Sequence, residues 1–244
     1  MKKIASLSVV LAVFSFTAAK ADVIADWTFQ SSASTNNIIG AGKTPGTTQS
    51  GILADTGIGT ASASHASAST VWSIPSGNGS SNSWSANNWT IGDYYQFSVT
   101  LDLVDNTYSG INVTYDQNGS ATGPKTYYIA YSTDGSSFTK FGSDYALTSG
   151  IVWSSGTPNQ ATQLSDNFSL ITALNTATTV YIRVVDDSPT TGGAINGGNV
   201  GTAGTDRIDN FVINATITPV PEPATLTLAA VGGAVFLAAF RRKR

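Results

Sequence analysis

Nine residues in the middle of the chain restrict the fold more than any other feature. Over residues 95–103, Tyr95, Phe97, Val99, Leu101 and Leu103 alternate with Gln96, Ser98, Thr100 and Asp102. Apolar side chains at strict period two share one face of a β-strand, and no helix gathers them. The pattern predicts a half-buried strand with all five apolar residues turned to a core. Ile111, Val113 and Tyr115 repeat it, as do Tyr127, Ile129 and Tyr131. Asp134-Gly135 tolerates the positive φ angles of a two-residue turn, which predicts a hairpin over residues 127–141. Further strands are expected at 23–29, 163–170, 178–186 and 208–217, with at most one helical turn at 170–175.

Composition agrees with strands and turns. Only 11% of residues are charged, whereas helix surfaces usually carry Glu, Lys, Arg and Gln. Residues 57–88 and 188–205 are rich in Ser, Gly, Ala, Thr and Asn without periodicity, and read as long loops. No repeat of fixed period is present. The expected fold is all-β: a single antiparallel, jelly-roll-like sandwich over residues 22–217. With no cysteine in the chain, its stability must come from the core or from metals rather than disulfides.

The two ends do not read as parts of that sandwich. Lys2 and Lys3 precede an apolar run over residues 4–16, and Ala19-Lys20-Ala21 fits an A-x-A cleavage site. Residues 1–21 therefore read as a secretory signal peptide cut by signal peptidase after Ala21. Between residues 22 and 240, five cations face fifteen acids, a net charge of −10. Binding to nucleic acid needs Lys and Arg to displace phosphate counterions, so this balance argues against it.

At the other end, Pro221-Glu222-Pro223 blocks helix and sheet pairing. Residues 225–240 then run without a charge to Arg241-Arg242-Lys243-Arg244. As a helix rising ~1.5 Å per residue this run reaches about 24 Å, close enough to a ~30 Å hydrocarbon core for snorkelling and thinning to close the gap. The positive-inside rule keeps the basic tail cytoplasmic. This ordered end, residues 218–244, resembles the PEP-CTERM sorting domain. The resemblance implies that an exosortase, a membrane protease, recognises Pro221, Glu222 and Pro223. A precursor held in the bacterial inner membrane would then be released toward the cell surface or extracellular matrix. The body, through residues 131–138 and 206–213, resembles carbohydrate-binding jelly rolls, which speaks to fold more than ligand.

Little else in the sequence points to chemistry. The lone His65 sits in Ala-Ser-Ala-Ser-His-Ala-Ser, without a sequence-adjacent carboxylate or a Gly-x-Ser-x-Gly turn anywhere, and reads as an exposed loop residue rather than a catalytic base. Without cysteine, and with one histidine, zinc and thiol chemistry drop out. Asp186, Asp187, Asp206 and Asp209 bracket the long glycine-rich loop, and would supply a calcium ion if the strand ends meet. Pairing of one of them with Arg207 is the alternative. Trp72 and Trp84 either stack on sugar rings or cover an end of the sandwich. The function classes left are a non-catalytic structural or adhesive surface protein, and a module that attaches to exopolysaccharide. Changing Glu222 to Ala leaves the apolar run and basic tail intact, so the expected outcome is unshortened protein retained in membranes. Release at the normal rate, read by immunoblot of fractions, would make the motif incidental.

Overall fold

The computed structural model describes residues 21–38 and 46–220. Among these residues thirteen strands form two antiparallel sheets. They are β1 (Asp22–Trp27), β2 (Thr48–Leu53), β3 (Thr56–Gly57), β4 (Gly59–Ser64), β5 (Trp72–Ser73), β6 (Trp84–Ala86), β7 (Tyr94–Thr100), β8 (Asn106–Gly119), β9 (Thr126–Ser132), β10 (Thr139–Ala146), β11 (Gln163–Asn167), β12 (Thr179–Asp186) and β13 (Asp206–Pro219). One sheet runs β11-β8-β13-β1-β3, with β6 beside β13 and β5 beside β6; the other runs β10-β9-β12-β7-β4-β2. One helical turn, Ser32–Thr35, and two 3-10 turns, Gln160–Thr162 and Thr172–Thr176, complete the elements. The expected signal peptide with Ala19, the Pro221-Glu222-Pro223 motif, the apolar run at 225–240 and the tail from Arg241 to Arg244 lie outside the described residues. No helix among the described residues is long and apolar enough to cross a membrane.

Alternation along the central strands builds the core. Tyr95, Phe97 and Val99 of β7 point inward, as do Val180, Ile182 and Val184 of β12 and Tyr127 and Ile129 of β9. The opposite sheet contributes Ile111, Val113 and Tyr115 of β8 and Phe211, Ile213 and Ala215 of β13. Phe97 and Phe211 stack face to face across the two sheets, centroids 3.6 Å apart and planes within 6°. Trp27 of β1 meets both rings edge-on, at 5.1 and 6.1 Å.

Leu101 is buried, but Leu103 is 38% exposed, not inward as expected. The strand stops at Thr100, and Asp102 accepts hydrogen bonds from the Val104 and Asp105 amides, turning the chain toward β8. The 127–141 hairpin forms, with Tyr131 opposite Thr139. Its connection is six residues, 133–138, not a two-residue turn. Asp134 accepts from the amides of Ser136 and Ser137, a side-chain-capped turn that needs the extra length.

Residues 57–88 are not the long loop expected, since β4, β5 and β6 lie there. In β4 the inward positions are Ala61 and Ala63, too small to register as an apolar stripe. They are small because large rings fill the space above. A side chain on Gly59 would come within 2.5 Å of the Trp27 indole.

β13 carries one irregularity that sets its faces. Between the pairs Asp209–Asp116 and Val212–Thr114 the register shifts, and Asn210 adopts φ +48°. A bulge of this kind adds one residue to one strand. Ile208 and Phe211 therefore both face the core, whereas unbroken alternation would put Val212 there. Removing the central ring tests this arrangement. Phe211→Ala should destabilise the protein by about 3–5 kcal/mol, read as a lower urea midpoint at unchanged m-value. A midpoint within 0.5 kcal/mol (~ the scatter of surface substitutions) would mean the ring is not central.

Candidate functional site

The same alternation that fills the core leaves an outer face on the six-stranded sheet. Tyr94, Gln96 and Ser98 of β7 point outward, as do Tyr181 and Arg183 of β12 and Tyr128 of β9. Register brings them together, with Arg183 opposite Gln96 on one side and Ala130 on the other. The Arg183 Cζ lies 3.8 Å from the centroid of Tyr94 and 3.5 Å from that of Phe138. Its Nε donates to Gln96 Oε1 at 2.9 Å, and Nη2 donates to the Tyr94 hydroxyl at 3.1 Å. Lys140 Nζ sits 4.6 Å over the Tyr128 ring and pairs with Asp144 at 2.5 Å and Asp187 at 3.8 Å. A groove of about 390 Å³ runs between these groups. Tyr94, Tyr128, Phe138, Tyr181 and Arg183 are all partly exposed. Flat rings beside amide, hydroxyl and guanidinium groups can stack on an apolar ring face and hydrogen-bond its rim.

The tryptophans do not contribute to this face. Trp72 and Trp84 are 1% and 0% exposed, so the expectation of sugar stacking on them is corrected. Their rings lie 5.9 Å apart, and Trp84 continues to Tyr95 at 4.8 Å. The short pairing of β5 with β6 folds the Ser-rich segment back over the sandwich, placing both indoles inside. Trp153 is also buried, donating to Thr162 Oγ1 at 3.0 Å. It borders a second cavity of about 350 Å³ with Asn118, Ile195 and Arg207.

His65 is likewise not the exposed loop residue expected. It is 3% exposed, held between Trp72 at 4.7 Å and Trp89 at 4.2 Å. Asp93, remote in sequence, brings Oδ2 to 3.5 Å from its Nδ1, and the Thr70 hydroxyl lies at 3.3 Å. Burial pushes the imidazole down to about 3, opposed only in part by the Asn87 backbone. A neutral ring enclosed by two indoles is a packing element, closed to any substrate.

The four aspartates expected to gather do not converge, and no three acid or histidine groups among the described residues could hold a metal ion. Asp206 accepts from Gln117 Nε2 at 3.2 Å, and burial holds its carboxyl well above the usual carboxylate range. Asp209 accepts from the Asn78 amide, Ser80 hydroxyl and Asn210 amide, and burial raises it to about 7. Asp186 accepts from the Ser188 amide at 2.8 Å and is raised by burial to about 6. Asp187 belongs to the Lys140 pair. Arg207 forms no ion pair with any of them among the described residues; its Nη1 donates to the Ser76 carbonyl at 3.4 Å, and burial lowers its guanidinium. These carboxyls tie loops to strands.

β13 remains paired to its last residue, Pro219 opposite Asn106, and the Val220 amide donates to the Asp105 carbonyl at 2.8 Å. Residues 219–244 match the family model of the PEP-CTERM protein-sorting motif. The motif thus follows the sheet with no spacer. It marks an exported, membrane-anchored precursor that an exosortase-type protease processes for the cell surface. No curated protein matches the chain. Among solved structures, the mannan-recognising carbohydrate-binding module TmCBM27 is 13% identical, with 81% of this chain and 99% of that one covered, at a TM-score of 0.39. Endo-1,4-beta-D-xylanase 10B of Clostridium thermocellum, complexed with xylohexaose, is 11% identical at 0.36, over 63% of this chain. The match spans only 25% of the xylanase structure. A cleaved adhesin domain of Lys-gingipain from Porphyromonas gingivalis is 14% identical at 0.34, over 57% and 76% of the two chains. Likeness at this level carries no argument about activity.

An outward aromatic in a half-buried strand was the signal available for Tyr94, Tyr128 and Tyr181, which the sequence reading passed over. The buried histidine yields a pH prediction. In the unfolded chain His65 regains an ordinary value near 6.5, while in the fold it stays neutral to about 3. Its depressed value therefore contributes stability present above pH 6.5 and lost as pH falls toward 3. Asp186 and Asp209, raised in the fold, act in the opposite sense, losing stability as pH rises toward 6 and 7. His65→Gln should accordingly flatten the loss of melting temperature between pH 6 and 4. An unchanged slope would show that the ring is accessible to protons in the folded state.

Proposed function

We propose that this chain is an exported, non-catalytic surface protein whose jelly-roll-like body, residues 22–217, acts adhesively by holding exopolysaccharide on the outer face of the six-stranded sheet. Signal peptidase would cut after Ala21 and the exosortase-type protease near Pro221, Glu222 and Pro223. Before that second cut the precursor sits in the inner membrane through residues 225–240, with Arg241, Arg242, Lys243 and Arg244 inside. Released protein then joins the cell surface or extracellular matrix.

The observation carrying this reading is the set of partly exposed rings, Tyr94, Tyr128 and Tyr181 on one sheet face and Phe138 from the adjoining connection, with Gln96 and Arg183 among them. Monomeric proteins seldom leave several aromatic rings together in solvent without a ligand to cover them. Sugars present C–H faces that stack on such rings, with contributions of about 0.5–1.5 kcal/mol per ring. Affinity electrophoresis of the full-length protein in gels containing exopolysaccharide tests the reading. Tyr128→Ala and Tyr181→Ala should each weaken retardation by roughly three- to tenfold, a step matching one lost ring contact. Retardation untouched by both changes would leave a structural role without this ligand face.

A further inference from the structure

Among the described residues the chain has fourteen aspartates and four cations, Lys125, Lys140, Arg183 and Arg207. Lys140 is paired with Asp144 and Asp187, and Arg207 sits in the field of Asp206. Neither Lys125 nor Arg183 pairs with a carboxylate among the described residues, but Lys125 is exposed whereas Arg183 is partly buried on the sheet face. Its partners are the Gln96 amide oxygen, the Tyr94 hydroxyl and two aromatic faces. Tyr94 and Phe138 do not stack on one another, yet each centroid is within 3.8 Å of the same Cζ. Both rings therefore lie against the one guanidinium.

That clamp fixes the plane of the group and keeps water off its faces, at a cost visible as a guanidinium pushed below its ordinary value by burial. With Nε on Gln96 and Nη2 on Tyr94, Nη1 is the nitrogen of Arg183 without a hydrogen-bond partner among the described residues. Arg183 lines the 390 Å³ groove in which Lys140 supplies a second positive charge. A flat, edge-on pair of donors matches a carboxylate in geometry, both oxygens accepting in the guanidinium plane. A groove of this size is within the range of sugar-sized ligand sites.

We propose that the groove on this face selects acidic glycan, with the carboxylate of a hexuronic acid unit paired to the open edge of Arg183 and the sugar ring resting on Tyr128. This rests on the polysaccharide-holding role of the face and names its ligand class. It also explains why a body carrying a net −9 charge over residues 22–217 keeps a desolvated, acid-free guanidinium on one surface. The general field of the protein repels a polyanion, so attraction must be local.

The test compares polygalacturonic acid with its fully methyl-esterified form, which has the same backbone without the charge. Binding of each to the full-length protein is measured by titration calorimetry, with dextran sulfate as competitor. The acid should bind about tenfold tighter than the ester, the scale of one charge-assisted pair. In Arg183→Gln the ratio of acid to ester affinity should fall to about one. Arg183→Lys, which keeps the charge and loses the planar fork, should also lose most of the preference. Equal binding of acid and ester by the wild type would overturn the charge selection and leave the glycan-holding role standing. Binding of neither would remove both. Displacement of the acid by dextran sulfate at equal charge concentration would reduce the effect to non-specific charge, and overturn the carboxylate assignment.

Discussion

The contact between Phe97 and Phe211 organises this protein. Two β-sheets without disulfides between them can slide or splay unless something specific locks their inner faces. Here a face-to-face aromatic pair at 3.6 Å joins β7, at the middle of one sheet, to β13, at the middle of the other. Trp27 closes it edge-on, and the chain answers that bulk with Gly59 against the indole. Large rings against small residues give the interdigitation that native packing density requires.

The bulge at Asn210 is what makes the pair available. Without the extra residue, Phe211 would point to solvent and Val212 inward. The bulge also releases Asp209 to reach the Asn78 amide and the Ser80 hydroxyl, tying a loop remote in sequence to the central strand. Burial then raises the carboxyl to about 7. Asp206 and Asp186 do similar work nearby, each buried and hydrogen-bonded to a neighbouring segment. Acids that suggested a calcium site from their spacing are therefore spent separately, as anchors of the loops at one end of the sandwich.

What the core takes from each strand determines what the surface receives. β7 and β12 give Phe97 and Ile182 inward, and the same periodicity sends Gln96, Tyr94 and Arg183 outward onto adjacent strands. Pairing sets the distances among Tyr94, Gln96 and Arg183, and Phe138 reaches them from the 133–138 connection. A binding surface built on paired strands loses little conformational freedom when it engages a ligand. The match of residues 219–244 to the sorting motif begins at Pro219, the last paired residue of β13.

The all-β class and the central strands were legible because alternation is a local property: each apolar residue two positions from the next declares a face. The sorting motif was legible for a related reason, since proline, a charge-free run and a basic cluster act in linear order. Three things were decided only by the tertiary structure. β4 was hidden because its core side chains are alanines and its first residue, Gly59, lies against Trp27 from another strand. His65 gave no sign of burial because the indoles of Trp72 and Trp89 and the carboxylate of Asp93 come from elsewhere in the chain. The clamp on Arg183 joins residues 94, 138 and 183, and such long-range register depends on which strands pair. Sequence alone thus determined the period of the strands and the order of the export signals. Strand pairing decided which side chains meet, because contact across a sheet depends on separation in space and not along the chain.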